Sequence, residues 1–127
     1  MSRPFNGLIV RRQPLDGAIC LSLSGEVDLA NVSDLRAHLK AVAQSDTNLI
    51  LDMGELRYMD SSGIQTLVDA HRTFKQTKRQ MVLAAVPPTI EKILNIAGVD
   101  WLVPVFASIE AALEEFAYDG PRMDRLE

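Results

Sequence analysis

Cysteine is nearly absent from this sequence, and so are long apolar runs and clusters of positive charge. The single cysteine, Cys20, excludes an internal disulfide and fits a reducing compartment. No apolar run approaches the length of a membrane helix, and the first residues lack the apolar segment of a secretory signal. Basic residues adjoin only at Arg11 and Arg12 and at Lys78 and Arg79. We therefore expect a cytoplasmic protein that binds neither membranes nor nucleic acids.

The sequence also lacks the motifs of the common phosphate-binding and hydrolytic sites. It contains no Walker A motif, no glycine fingerprint of a dinucleotide-binding fold and no Gly-x-Ser-x-Gly nucleophile elbow. Its two histidines, His38 and His71, have no metal-ligand companions at a recognisable spacing. These absences predict a protein that is not an enzyme and has neither a metal nor a cofactor.

The length of the chain and the spacing of its apolar residues predict one α/β domain that begins with a pair of strands. The chain has 127 residues, 47% of them hydrophobic, which suffices for one ordinary core. Apolar and small polar residues alternate through "AICLSLSGEVD", which indicates a strand with one face, that of Ile19, in the core. "GLIVRRQPLDG" before it predicts a shorter strand, with a hairpin turn over residues 14–17.

From Asn31 the apolar spacing becomes helical, and helices then alternate with short apolar runs. Asn31, with Asp34 three residues later, resembles an N-terminal cap, and Gly98 is a natural end for the helix that begins at Pro87 and Pro88. The predicted order is β-β-α-β-α-β-α-β-α. Because two antiparallel strands lead into βαβ units, we expect a mixed sheet of four to five strands with about four helices packed on it.

Two serines and a glycine follow an aspartate where the strand "NLILDM" and its continuation give way to a helix. This Asp60-Ser61-Ser62-Gly63 stretch has two interpretations. One is an ordinary N-terminal cap of the helix, supplied by Asp60 or Ser61. The other is a phosphorylation site at Ser61, since free backbone N–H groups and the helix dipole favour an anion there. Catalysis by Ser61 is a weak alternative, because His71 lies about 15 Å further along the same predicted helix.

Three segments, in order, resemble one known family. "LSGEVDLANVSDLRAHL", with its Gly-Glu-Val-Asp turn, "LILDMGELRYMDSSGIQTL" and "PPTIEKILNIAGVDWLVPVFASIEAAL" are similar to the STAS domain of bacterial anti-sigma factor antagonists. The Asp-Ser-Ser-Gly stretch is the most specific part. The resemblance implies a single STAS domain over residues 1–117. Residues 118–127 contain few apolar side chains, which predicts a flexible tail.

The resemblance also implies a partner switch. The dephosphorylated antagonist would bind an anti-sigma factor that is also a serine kinase, and a PP2C-type phosphatase would reverse the phosphorylation. By resemblance Ser61 is the phosphate acceptor, and the partner would contact the surface around Asp28, Asp60, Ser62 and Gly63. The alternative is a STAS subunit of a lipid-transport or stress-signalling complex that is never phosphorylated. The resemblance does not fix the oligomeric state.

Overall fold

The computed structural model describes residues 7–117, and its elements follow the predicted order. The predicted tail over residues 118–127 lies outside the described residues. The elements are β1 (Leu8–Leu15), β2 (Ala18–Val27), α1 (Val32–Gln44), β3 (Asn48–Met59), α2 (Ser61–Gln76), β4 (Met81–Ala84), α3 (Pro88–Ala97), a 3-10 turn (Val99–Trp101), β5 (Val105–Phe106) and α4 (Ile109–Ala117).

One mixed sheet organises the domain. Its strand order is β1-β2-β3-β4-β5, with β1 antiparallel to β2 and every later neighbour pair parallel. The five strands and four α-helices confirm the predicted α/β class. Pro14 and Pro104 both lie at the margins of this sheet, in β1 and just before β5, where a missing N–H costs no ladder hydrogen bond.

The sheet carries helices on both faces, which corrects the expectation that β2 buries only one. Helices α1, α2 and α3 cover the face that carries Leu21 and Leu51, and this is the larger core. Helix α4 covers part of the other face, where Cys20 and Ile50 are almost completely buried. Ser108 starts α4 by accepting a hydrogen bond from the N–H of Ala111 at 3.0 Å. Cys20 is thus a packed core side chain.

Three local predictions were wrong in detail. The hairpin turn is only Asp16 and Gly17, because β1 continues through Leu15. Asn31 precedes α1 but makes no side-chain cap, since its amide is used inside the preceding loop. The stretch that starts at Gly25 is the bulged end of β2 rather than a turn, and a Cβ at Gly25 would collide with the carbonyl oxygen of Gly7.

The parallel pairing of β2 with β3 places the candidate residues together. Val27 and Met59, the last residues of the two strands, are partners in the register. The loop after β2 and the start of α2 therefore meet at the same edge of the sheet, which is the usual place for a site in a parallel sheet. Within residues 7–117, no helix is both long enough and apolar enough to cross a membrane.

Candidate functional site

Asp60 is the residue that joins strand β3 to helix α2. Its backbone N–H donates to the carbonyl of Val27 at 3.1 Å, so the junction is fixed to the neighbouring strand. Its backbone is extended, whereas Ser61 is the first helical residue. This is the conformation of a helix N-cap, so the cap interpretation of the motif is correct for Asp60.

The carboxylate of Asp60 holds two segments together. Oδ1 accepts hydrogen bonds from the N–H of Ser62 at 2.9 Å, from the N–H of Gly63 at 3.2 Å and from the Ser62 hydroxyl. Oδ2 accepts from the N–H of Leu29 at 3.2 Å. The last bond crosses to the loop between β2 and α1. Asp60 therefore fixes the position of that loop relative to the start of α2.

These donors keep Asp60 ionised. The hydrogen bond from the Ser62 hydroxyl is the largest influence that lowers the pKa of Asp60, and the N–H groups of Gly63, Ser62 and Leu29 act in the same direction. Burial is the second-largest influence and raises the pKa of Asp60, but the hydrogen bonds together outweigh it, so the net shift is downward. The site thus has a fixed negative charge beside Ser61 at neutral pH.

The two serines of the motif differ in their environment. Ser62 is half-buried, and its hydroxyl donates to Asp60. Ser61 is exposed, and within residues 7–117 its hydroxyl has no hydrogen-bond partner. Of the two neighbouring hydroxyls, only that of Ser61 is open to a reagent in solution.

The sequence suggested that free backbone N–H groups at the start of α2 would bind a phosphate on Ser61. In the structure, three of these groups are already occupied. The N–H groups of Ser62 and Gly63 already donate to the Asp60 carboxylate, and that of Ile64 donates to the Asp60 carbonyl. A phosphate on Ser61 would therefore stand next to an ionised carboxylate and project toward solvent. It would change the charge of the surface without replacing the cap.

Asp28 lies in the loop that Asp60 holds. Its Oδ1 accepts from the N–H groups of Ala30 at 3.0 Å and Asn31 at 3.2 Å. The fully buried Asn31 completes the loop, since its Oδ1 accepts from the Asp28 N–H and its Nδ2 donates to the Glu26 carbonyl, each at 3.0 Å. The structure thus brings Asp28 and Asp60 together through the loop, but each uses its carboxylate inside the fold.

Leu29 is a candidate contact residue that the sequence did not predict. It lies at the tip of this loop with 78% of its surface exposed, and its N–H donates to Asp60. The available signal was a leucine between Asp28 and Asn31, two residues that favour turns. An exposed apolar side chain on a loop that is hydrogen-bonded to Asp60, the residue before Ser61, suits contact with a protein partner.

Gly63 lies between the first turn of α2 and the ends of β2 and β3, beneath the exposed Ser61. It is buried, and a Cβ there would lie 2.6 Å from Met59 Cγ and 2.8 Å from Val27 Cγ1. The close approach at Gly63 therefore involves side chains at the ends of β2 and β3. Gly63 lets the first turn of α2 pack directly on the ends of β2 and β3.

Neither histidine lies at this site. His71 is in the third turn of α2 and half-buried, and burial, followed by the charge of Lys75, lowers its pKa. His38 is on α1. In the part of the chain that the structure describes, no three His, Cys, Asp or Glu residues are grouped so that they could hold a metal ion.

Comparison with known proteins assigns the family. The family model of the STAS domain matches residues 10–112, which is most of the chain and includes every site residue named above. The chain belongs to the STAS domain family. This confirms the resemblance carried by the Asp-Ser-Ser-Gly stretch and its two companion segments.

Two curated relatives have names that describe the same kind of regulator. The chain is 31% identical over 109 residues to BtrV of Bordetella bronchiseptica, which carries the provisional name of anti-sigma factor antagonist; the match covers 85% of this chain and 94% of BtrV. It is 25% identical to the anti-sigma F factor antagonist of Paenibacillus polymyxa, over 78% of this chain and 86% of that protein.

A solved structure shows the same STAS fold. The crystal structure of an anti-sigma factor antagonist from Mycobacterium paratuberculosis superimposes with a TM-score of 0.82 at 20% sequence identity. The match covers 93% of this chain and all of the other.

Proposed function

We propose that this STAS domain is an anti-sigma factor antagonist switched by phosphorylation of Ser61. The unphosphorylated form binds an anti-sigma factor that is also a serine kinase, and the sigma factor is thereby released. The kinase transfers a phosphoryl group from ATP to Ser61, and a PP2C-type phosphatase removes it. The names of the curated relatives support an anti-sigma factor as the class of partner.

The observation that carries this proposal is the contrast between the two serines. Ser61 is exposed, with a hydroxyl that no described residue engages, whereas the Ser62 hydroxyl is held by Asp60. A kinase needs an accessible hydroxyl that it can reach without unfolding the helix. Ser61 meets this requirement at an ordered position, because Asp60 fixes the first turn of α2 around it.

Electrostatics explains how a phosphate would abolish binding. A phosphoserine carries a charge of about −1.5 to −2 at neutral pH. This charge would stand beside the ionised Asp60, and desolvating a dianion in an interface is costly unless the partner supplies a cation to pair with it. We infer that the partner contacts Ser61 and Leu29 directly. Asp28, Asp60, Ser62 and Gly63 would then contribute mainly by holding that surface in shape.

The first test is peptide-level mass spectrometry on protein isolated from its own cells with phosphatase inhibitors present. We expect one phosphate, localised to Ser61, that is absent from Ser61→Ala and retained in Ser62→Ala. A phosphate on Ser62 alone would contradict the assignment. No phosphate under any of several growth and stress conditions would favour the unphosphorylated subunit of a lipid-transport or stress-signalling complex.

The second test measures binding to the protein that phosphorylates Ser61 in vitro with ATP. We expect Ser61→Ala to bind it at least as tightly as the wild type and Ser61→Asp to bind at least tenfold more weakly, a difference of about 1.4 kcal/mol. Ser61→Asn, which has nearly the size of Ser61→Asp but adds no charge, is the matched control and should keep most of the wild-type affinity. Equal affinity of Ser61→Asp and the wild type would move the switch to another residue.

A further inference from the structure

A second surface lies at the opposite end of the sheet from Ser61. It is a pocket of about 470 Å³, which we call the basal pocket, next to the beginning of β4. The pocket collects side chains from the last turns of α2, the α2–β4 connection and the segment before β5. Its lining residues are His71, Lys75, Lys78, Arg79, Gln80, Met81, Leu102 and Pro104.

The basal pocket is basic although the chain carries a net charge of −4. Three of its lining residues are cations, and none is a carboxylate. Arg79 pairs with Asp46 at 2.9 Å. Within residues 7–117, Lys75 and Lys78 have no ion-pair partner. Two unneutralised ammonium groups therefore remain at this one place in an acidic molecule.

These lysines are not needed to finish helix α2. The Phe74 carbonyl accepts from the N–H groups of Thr77 and Arg79, each at 3.1 Å, and from the Thr77 hydroxyl at 2.9 Å. The Lys75 carbonyl accepts from the N–H of Lys78 at 3.2 Å. Because backbone donors and Thr77 satisfy these terminal carbonyls, the ammonium groups of Lys75 and Lys78 stay available for another anion.

The backbone that carries the charges is fixed. The N–H of Gln80 donates to the Asn48 side chain at 2.9 Å, and the N–H of Leu49 donates to the Gln80 carbonyl at 2.8 Å. Lys78 has φ +62°, a left-handed conformation in which glycine would be less strained. Lys78 therefore occupies a backbone conformation that glycine adopts more easily than lysine.

Apolar side chains adjoin the charges. Leu102 lines the pocket and is 54% exposed, and its neighbour Trp101 is 88% exposed. A small anion would use only the charges, whereas a peptide segment could also bury an apolar side chain against the exposed Leu102 and Pro104. The combination suits a peptide segment that has both acidic and apolar side chains.

We propose that the basal pocket is a second docking surface, which binds an acidic segment of a partner protein. The carboxylates of the segment pair with Lys75 and Lys78, and an apolar side chain packs on Leu102 and Pro104, which line the same pocket. This proposal does not depend on Ser61 being phosphorylated. It would allow the domain to hold one partner at the basal pocket while the other end exchanges its partner.

The test uses the full chain and a fluorescein-labelled ten-residue peptide of glutamates around two central leucines. We expect binding that weakens as salt is raised, and a loss of at least tenfold in affinity for the double variant Lys75→Gln, Lys78→Gln. The matched control, Lys40→Gln with Lys92→Gln, changes the net charge equally at exposed lysines outside the pocket. It should retain the wild-type affinity to within twofold.

Nuclear magnetic resonance locates the peptide independently of the variants. His71 lines the pocket, whereas His38 lies on α1 outside it. A bound carboxylate favours the protonated imidazole, so the ring signals of His71 should titrate at a higher pH with peptide than without. At a fixed pH, adding the peptide should shift the ring signals of His71 and leave those of His38 in place. Circular dichroism checks that each variant is folded.

Four results would overturn the proposal. The first is no binding at about 1 mM peptide in low salt, and the second is equal binding of a control peptide with glutamine in place of glutamate. The third is an equal loss of affinity in the Lys40, Lys92 control. The fourth is concentration-dependent self-association of the wild type that Lys75→Gln with Lys78→Gln abolishes, which would make a second copy the occupant.

Discussion

At the scale of single residues, the environment of a side chain decides what it does in this motif. Ser61 and Ser62 have the same chemistry and adjacent positions, yet only Ser61 presents a free hydroxyl. The difference arises from Asp60, which caps the helix and engages Ser62. The cap and the site are therefore the same structure, and the negative charge that stabilises the helix also sets the electrostatics of the surface.

Replacing Asp60 tests this double role. Asp60→Ala removes the cap and should lower the free energy of unfolding by about 1 kcal/mol, whereas Asp60→Asn keeps a capping oxygen and should cost less. Chemical denaturation at pH 7 measures both. The folded-state pKa of Asp60 is lowered, so its ionic contribution is complete above the unfolded pKa of about 3.9 and is lost as the pH falls through the folded value.

A pH series separates the charge from the cap. The stability of the wild type relative to Asp60→Asn should decline as the pH is lowered below about 4, because only the wild type takes up a proton at this position. A difference between the two proteins that stayed constant from pH 7 to pH 2 would show that the Asp60 charge contributes nothing to folding.

At the scale of elements, the important feature is the hydrogen-bonded connection between the β2–α1 loop and the start of α2 at one end of the sheet. The parallel pairing of β2 and β3 brings the loop after β2 beside the start of α2, and the hydrogen bond from the Leu29 N–H to Asp60 joins them. The buried Asn31 holds the same loop from inside. Leu29 is consequently an exposed apolar side chain on an ordered loop, which lowers the entropy lost when a partner binds it.

Leu29→Ala should weaken partner binding without weakening the fold. The exposed side chain buries little in the free domain, so the free energy of unfolding should change by less than about 0.5 kcal/mol. Affinity for the proposed kinase of Ser61 should fall at least tenfold, measured by titration calorimetry. Ile96→Ala, at an equally exposed position on α3, is the control. Equal affinities for the Leu29 and Ile96 variants would remove Leu29 from the interface.

At the scale of the whole molecule, the two proposed surfaces are far apart. Helix α2 runs from Ser61 at one end of the sheet to Lys75 at the other, and fourteen residues at 1.5 Å each separate them by about 21 Å. This exceeds the screening length of about 8 Å at physiological ionic strength. Charges at one surface should therefore have little effect on binding at the other.

A mutant cycle checks this independence. Ser61→Asp should leave the affinity of the acidic peptide for the basal pocket unchanged within twofold at physiological salt. Conversely, Lys75→Gln with Lys78→Gln should leave phosphorylation of Ser61 by its kinase unchanged. A coupling larger than about 0.5 kcal/mol between the two sets of substitutions would indicate that the ends communicate through the fold.

The sequence by itself determined the features that depend on neighbouring residues. Alternating and helical spacing predicted the order of the elements and the mixed sheet, since each element buries a face that repeats along the chain. The position of Ser61 at the start of a helix and the end of α3 at Gly98 followed in the same way. One error occurred even at short range: the Asn31 amide bonds to Asp28 and Glu26 in the preceding loop instead of capping α1.

The tertiary structure decided what depends on residues distant in the sequence. Only the fold shows that Asp60 binds the Leu29 N–H, thirty-one residues earlier, and that Asp60 occupies the donors a phosphate was expected to find. Only the fold shows that α4 covers Cys20, or that Lys75 and Leu102 share one pocket. Such contacts are set by strand register and by helix packing across the sheet, and no local pattern in the sequence records them.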